Sequence, residues 1–123
     1  MNVATVREQL AAALNEAGMA CAMYRTELVE GFPAAMISID RVVTSAFGDV
    51  VDADGTVTVL VSKADSTDAW AKLDELLSDN TITDALAAAE CVADIGAFEN
   101  IGEDIAYNDG FALSFTISFT ILG

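Results

Sequence analysis

From residue 111 onward the chain alternates without interruption. Phe111, Leu113, Phe115, Ile117, Phe119 and Ile121 are separated by Ala112, Ser114, Thr116, Ser118 and Thr120, and Leu122 closes the run. A period of two sends successive side chains to opposite faces of a strand, so this segment is predicted to be a main strand with its odd-numbered face buried. Each large side chain buried in this way contributes about 1.5 to 3 kcal/mol, an upper value because unfolded chains are not fully extended. An uncharged strand of this kind is an aggregation hazard at a sheet edge. Neighbours are therefore expected on both sides, from its own chain or from another subunit.

Helical periodicity marks three other stretches. Thr5 and Glu8 have capping-box spacing, Val6, Leu10, Ala13, Leu14 and Ala17 share one face, and Gly18 stands where a C′ glycine stops a helix. These residues predict a helix over about 5 to 17. Asp65 or Ser66 is positioned to cap a second helix with Trp70, Leu73 and Leu77 inward. Thr81 and Asp84 repeat the capping-box spacing ahead of Ile82, Ala85, Leu86 and Ala89. Both helices are predicted to pack on one face of a sheet.

The remaining segments read as strands and turns. Met19 to Tyr24 is a short apolar run, followed by polar residues 25–30 and a Gly31-Phe32-Pro33 turn. In Ala34 to Val43, Ile37 and Ile39 alternate with Ser38 and Asp40; beyond residue 55, Val57, Val59 and Val61 alternate with Thr56, Thr58 and Ser62. Asp54-Gly55 is a turn dipeptide, so residues 34–62 are predicted to form a long antiparallel hairpin with its tip over Asp49 to Gly55. Val92 to Phe98 is a further candidate strand. The sum is an α+β fold: a mostly antiparallel sheet with a long hairpin, an N-terminal helix and two helices on one sheet face, in a single domain over residues 1–123.

Charge narrows the function. Twenty Asp and Glu against five Lys and Arg give a net charge of −15, a field that repels nucleic-acid phosphates and anionic lipids. Arg7, Arg25, Arg41, Lys63 and Lys72 are scattered and build no phosphate-binding stripe. The opening MNVATVREQL has no basic, apolar leader pattern, and no apolar run reaches the roughly 18 to 20 residues that span a bilayer. A cytosolic address without a membrane is the expectation. Cys21 and Cys91 form no CxxC pair and read as small buried apolar residues.

Catalysis finds little to work with. The sequence has no histidine, which removes the commonest general base and metal ligand and with it Ser-His or Cys-His activation. The carboxylates are spread along the chain, and no pair is singled out for acid–base work. Asp49, Asp52, Asp54 and Gly55 invite a calcium-loop reading, but placing Gly55 at the invariant glycine puts Val50 and Val61 where carboxylates are required. Gly96, Gly102 and Gly110 are isolated and build no phosphate loop. Trp70, Tyr24, Tyr107 and the phenylalanines have no cluster of basic residues beside them and read as core. No catalytic residue, metal ligand or cofactor site is predicted.

The order of elements carries a resemblance. A helix ending LAAALNEAG, a strand MACAMY, a Gly-Phe-Pro turn into AAMISID, a hairpin ending TVTVLVS, a helix DAWAKLDELL, a short helix TITDALAAA, a Tyr107-containing loop and a final FALSFTISFTI strand follow one another. In this order the chain resembles the tail terminator proteins of long-tailed bacteriophages and related viruses of archaea. The resemblance implies a non-enzymatic virion protein, assembled in the host cytoplasm as a hexameric ring at the head-proximal end of the tail. Such a ring stops polymerisation of the tail tube protein, joins the head–tail connector protein and lets DNA pass through an acidic lumen without specific binding. Arg41, Asp49, Asp52, Asp54 and Gly55 are the candidate subunit or tube contacts. A head–tail connector or minor tail protein of similar size, and an acidic DNA mimic that inhibits a basic host protein, are the alternatives.

Overall fold

The computed structural model describes residues 2–24, 31–62, 66–107 and 110–122. Helix α1 (Val3–Glu16) is followed by the two-residue strand β1 (Ala20–Cys21) and the long strands β2 (Ala34–Thr44) and β3 (Val50–Ser62). Helices α2 (Ser66–Ser78) and α3 (Thr81–Ala88) precede β4 (Val92–Tyr107) and β5 (Gly110–Leu122). The five strands lie in the order β1-β2-β3-β5-β4, antiparallel except for the β1–β2 pair. The fold is α+β, as the sequence predicts.

Helix α1 begins earlier than the Thr5–Glu8 spacing suggests. Asn2 is the cap: its Oδ1 accepts from the Thr5 backbone N–H at 2.8 Å and from the Thr5 hydroxyl at 2.9 Å, a strong cap that adds most of a turn. The other end follows the glycine prediction. Gly18 has φ +96°, its N–H bonds Asn15 O at 3.0 Å, and the Met19 N–H reaches back to Leu14 O at 3.1 Å, which satisfies two orphan carbonyls. The Asn15 side chain then accepts from Cys21 N and donates to Cys21 O. This amide stands in for a strand partner and ties α1 to β1, which is why β1 is ordered although only Ala20 and Cys21 of the predicted 19–24 strand pair. Residues 25–30 lie outside the described residues, as does Asp65.

All three helices bury their apolar stripes on one face of the sheet. Val6, Leu10 and Leu14 of α1, Leu73 and Leu76 of α2, and Ile82, Ala85 and Leu86 of α3 meet Ile37, Val57, Val59, Phe115, Ile117 and Phe119 from the strands. Phe98 and Phe115 pack edge to face at 5.3 Å between centroids, the favoured geometry for aromatic pairs. The capping box at Thr81 does not form. Thr81 lies inside α3, Asn80 occupies the cap, and Asp79 Oδ1 accepts from Thr81 N at 3.0 Å.

The expectation that the large aromatics are core is corrected at several positions. Trp70 is 47% exposed, because the buried stripe of α2 runs through Ala69, Leu73 and Leu76 and leaves Trp70 beside it. Its indole crosses instead to Gly102 of β4, where any Cβ would overlap the ring. Tyr24 lies under the Arg7 guanidinium at 5.3 Å, a cation–π contact at the surface. Phe111, first in the alternating run, is 66% exposed, whereas Leu113 to Ile121 on the same face are buried. Tyr107 is the last residue of β4 and pairs with Gly110 rather than lying in a loop.

β4 extends well past the predicted Val92 to Phe98. Three register shifts break its ladder with β5, and such bulges, together with its glycines, scramble the alternation that marks a strand in sequence. β5 accordingly has a neighbour on each side, β3 and β4. Among the described residues no helix is long and apolar enough to cross a membrane.

Candidate functional site

The hairpin of β2 and β3 turns at residues 45–49, not at Asp54-Gly55. Ser45 N donates to Asp49 O at 2.8 Å, Gly48 N donates to Ser45 O at 3.0 Å, and the Ser45 hydroxyl accepts from the N–H groups of Phe47 and Asp49. Gly48 takes the positive φ the turn needs, +83°. Asp54 and Gly55 lie well inside β3, paired with Arg41 and Ile39 on one side and with Thr120 and Phe119 on the other. A packing demand overrides the local turn preference here: the Phe119 ring fills the space a residue-55 side chain would occupy.

A bulge decides what faces what. Between Ile39 and Arg41 the β2 register slips by one residue, so that Asp40 is the extra residue and Arg41 stands opposite Asp54. Without the bulge two aspartates would oppose each other, an unfavourable cross-strand pair. Arg41 Nε lies 2.7 Å from Asp54 Oδ2 and its Nη2 lies 2.8 Å from Asp52 Oδ2. Thr120 Oγ1 donates to the other Asp54 oxygen at 3.3 Å. The displaced Asp40 is held separately, accepting from the Ser38 hydroxyl at 2.7 Å and from Thr56 Oγ1 at 3.0 Å.

The electrostatics follow from these bonds. Hydrogen bonding to Arg41, reinforced by its charge, holds the Asp54 carboxyl below the usual carboxylate range. Hydrogen bonds to Asp54 and Asp52, with their charges, push the Arg41 guanidinium further up. A guanidinium so paired stays ionised and neither takes up nor releases a proton near neutral pH. The cluster is held together by charge-assisted hydrogen bonds. Among the described residues no group of three or more His, Cys, Asp or Glu could hold a metal ion.

Three of the five predicted contact residues, Arg41, Asp52 and Asp54, are thus brought together on the sheet face away from the helices. Asp49 is at the turn, beside them in the chain. Gly55 is buried beneath Phe119 and offers nothing to a partner.

Apolar residues at this end of the hairpin were not singled out by sequence reasoning. Phe47 is 93% exposed, and Val42, Val43, Val51 and Leu122 also stand in solvent. Their signal lay in a departure from rule: Phe47 is a lone aromatic in a Ser-Ala-Phe-Gly turn, where polar residues are usual. Residues 40–44 and 46–49 are all exposed, so the hairpin end carries apolar side chains that the helix layer does not cover.

No protein-family model matches the sequence, and no curated protein matches it. The hairpin end therefore stands on its own geometry: a hydrogen-bonded arginine–aspartate cluster beside exposed valines and a phenylalanine.

Proposed function

We propose that this chain is a structural subunit of a viral tail, assembling as a ring that ends the tail tube and joins it to the head connector. The observation that carries the reading is the exposed end of the β2–β3 hairpin, where apolar residues flank the hydrogen-bonded Arg41–Asp52–Asp54 cluster. The order of elements, which resembles that of tail terminators, gives the reading its particular form. Enzymatic activity has no part in it.

The acidity suits the role. A ring of subunits each carrying −15 presents DNA with a repulsive wall, so that a phosphate backbone slides through without being held. The same charge opposes assembly at low ionic strength and is screened as salt rises.

Electron microscopy of the purified chain, alone and mixed with the polymerising tail-tube protein of its virus, tests the proposal. Rings that sit on tube ends and fix tube length are the expected result. Tubes that grow unchanged in its presence at both low and high salt would overturn it.

A further inference from the structure

The sheet ends on a strand of one charge. From Leu73 to Gly123 the chain has no lysine, arginine or histidine. Strand β4, paired on one side only, carries Asp94, Glu99, Glu103 and Asp104, all exposed, and its neighbour β5 has no charged residue to offset them. Asp94, Glu99 and Glu103 stand opposite Thr120, Thr116 and Ser114, on the face without helices. Asp40, Asp52 and Asp54 share that face, and Arg41 is its one cation among the described residues. That arginine already bonds Asp52 and Asp54 and lies three strand spacings from β4, roughly 14 Å.

A bulge tightens the crowding. Thr116 and Ser114 are two residues apart, so their partners Glu99 and Glu103 lie roughly 7 Å from each other, where an unbroken strand would hold them roughly 13 Å apart. Residues 100–102 between them have no partner on β5, and Asn100 takes a φ of +53°, uncommon for a residue with a side chain. Side chains hold the bulge shut: Thr116 Oγ1 donates to Glu99 O at 3.1 Å, Ser114 Oγ donates to Glu103 O at 2.9 Å, and Asn100 Nδ2 donates to Thr116 Oγ1 at 3.1 Å. Two like charges thus flank the point at which the β4–β5 ladder is interrupted.

We propose that the Glu99–Glu103 bulge is an ionic-strength latch, closed on β5 when salt screens its two carboxylates and opened by their repulsion in dilute solution. The Debye length is about 30 Å at 0.01 M salt, well beyond the separation of the pair, and about 3 Å at 1 M, well inside it. Opening is easiest here because the ladder is already broken, and local openings of this kind set the rate of amide exchange. An open latch bares the edge of β5, an uncharged strand able to pair with another chain. Salt thereby decides whether the sheet is sealed. The latch is a property of the single chain and does not depend on the tail reading.

Hydrogen exchange followed by NMR on the full chain, at one pH and in about 0.01 M and about 1 M sodium chloride, tests the latch. The β4 amides bonded to β5 are expected to exchange at least about tenfold faster in dilute salt, with a smaller change in the amides that join β2 to β3. Glu99→Gln together with Glu103→Gln removes both charges and leaves all three hydrogen bonds of the bulge in place. This chain is expected to keep slow β4 exchange at both salt concentrations. Exchange in β4 that ignores salt, a change shared equally by the β2–β3 amides, or a wild-type salt response in the doubly substituted chain would each overturn the latch.

Discussion

The ring of Phe119 lies where a side chain at position 55 would have to be, so the absence of one at Gly55 is what lets β3 and β5 pair at this point. A Cβ at Gly55 would also meet the carbonyl oxygen of Ser38 on β2. Neither neighbour is a flexible surface tip. Gly55→Ala is therefore expected to destabilise the domain by about 1–3 kcal/mol, the usual cost of overpacking a filled interior. Urea unfolding checks it, and an unchanged midpoint would refute the packing described.

Phe115 and Phe111 share the odd-numbered face of β5 but not its environment. Phe115 is fully buried against Phe98, and Phe111 is exposed. Phe115→Ala should cost about 3–5 kcal/mol, while Phe111→Ala should fall within about 0.5 kcal/mol of wild type. Equal effects in chemical denaturation would contradict the structure.

The Arg41 cluster makes a prediction about acid. Because hydrogen bonding to Arg41 holds folded Asp54 below its unfolded value, its contribution to stability is complete above the ordinary carboxylate range and is lost as pH falls through the folded value. In an NMR titration Asp54 should titrate below an ordinary aspartate. Arg41→Met should move it upward. If Asp54 titrates identically in both proteins, the two side chains are not joined in solution.

Burial pushes the Cys21 thiol up to about 11 and raises that of Cys91 as well. Since the thiolate is the reactive form, neither cysteine should be modified by a thiol reagent near pH 8 until the protein unfolds. Rapid labelling of either in the native state would show that its pocket opens.

The sequence made the alternating strands and the amphipathic helices legible because their periods are set by burial on one side. The Leu113–Ile121 stretch of β5, the Ile82–Leu86 stripe of α3 and the glycine stop at Gly18 all lie where pattern places them. It misled where a long-range contact outweighs a local preference. Asp54-Gly55 is a turn signal by composition, yet Phe119, 64 residues further on, takes the space beside Gly55 and keeps it in a strand. β4 was hidden by its bulges, and Trp70 left the α2 core stripe because Gly102 makes room for its indole. At the candidate site, Arg41 and the aspartates could be nominated by charge, but their pairing depends on a one-residue bulge at Asp40 that periodicity does not reveal. Phe47 was legible only as an anomaly, a large apolar side chain in a polar turn.

The position of β5 has a consequence for the chain as it is being made. It is the last strand in sequence and yet lies between β3 and β4, so the sheet cannot close until residues 110–122 have been synthesised. At ordinary translation rates β3 is complete roughly 2 to 10 s before β5 begins. During that interval α1, α2 and α3 have only β1, β2 and β3 to cover, without the interior strand β5. The inner edge of β3 then stands open. Asp52 and Asp54, fixed beside that edge, discourage capture by a neighbouring nascent chain. Nascent chains are thereby kept apart while they are still incomplete.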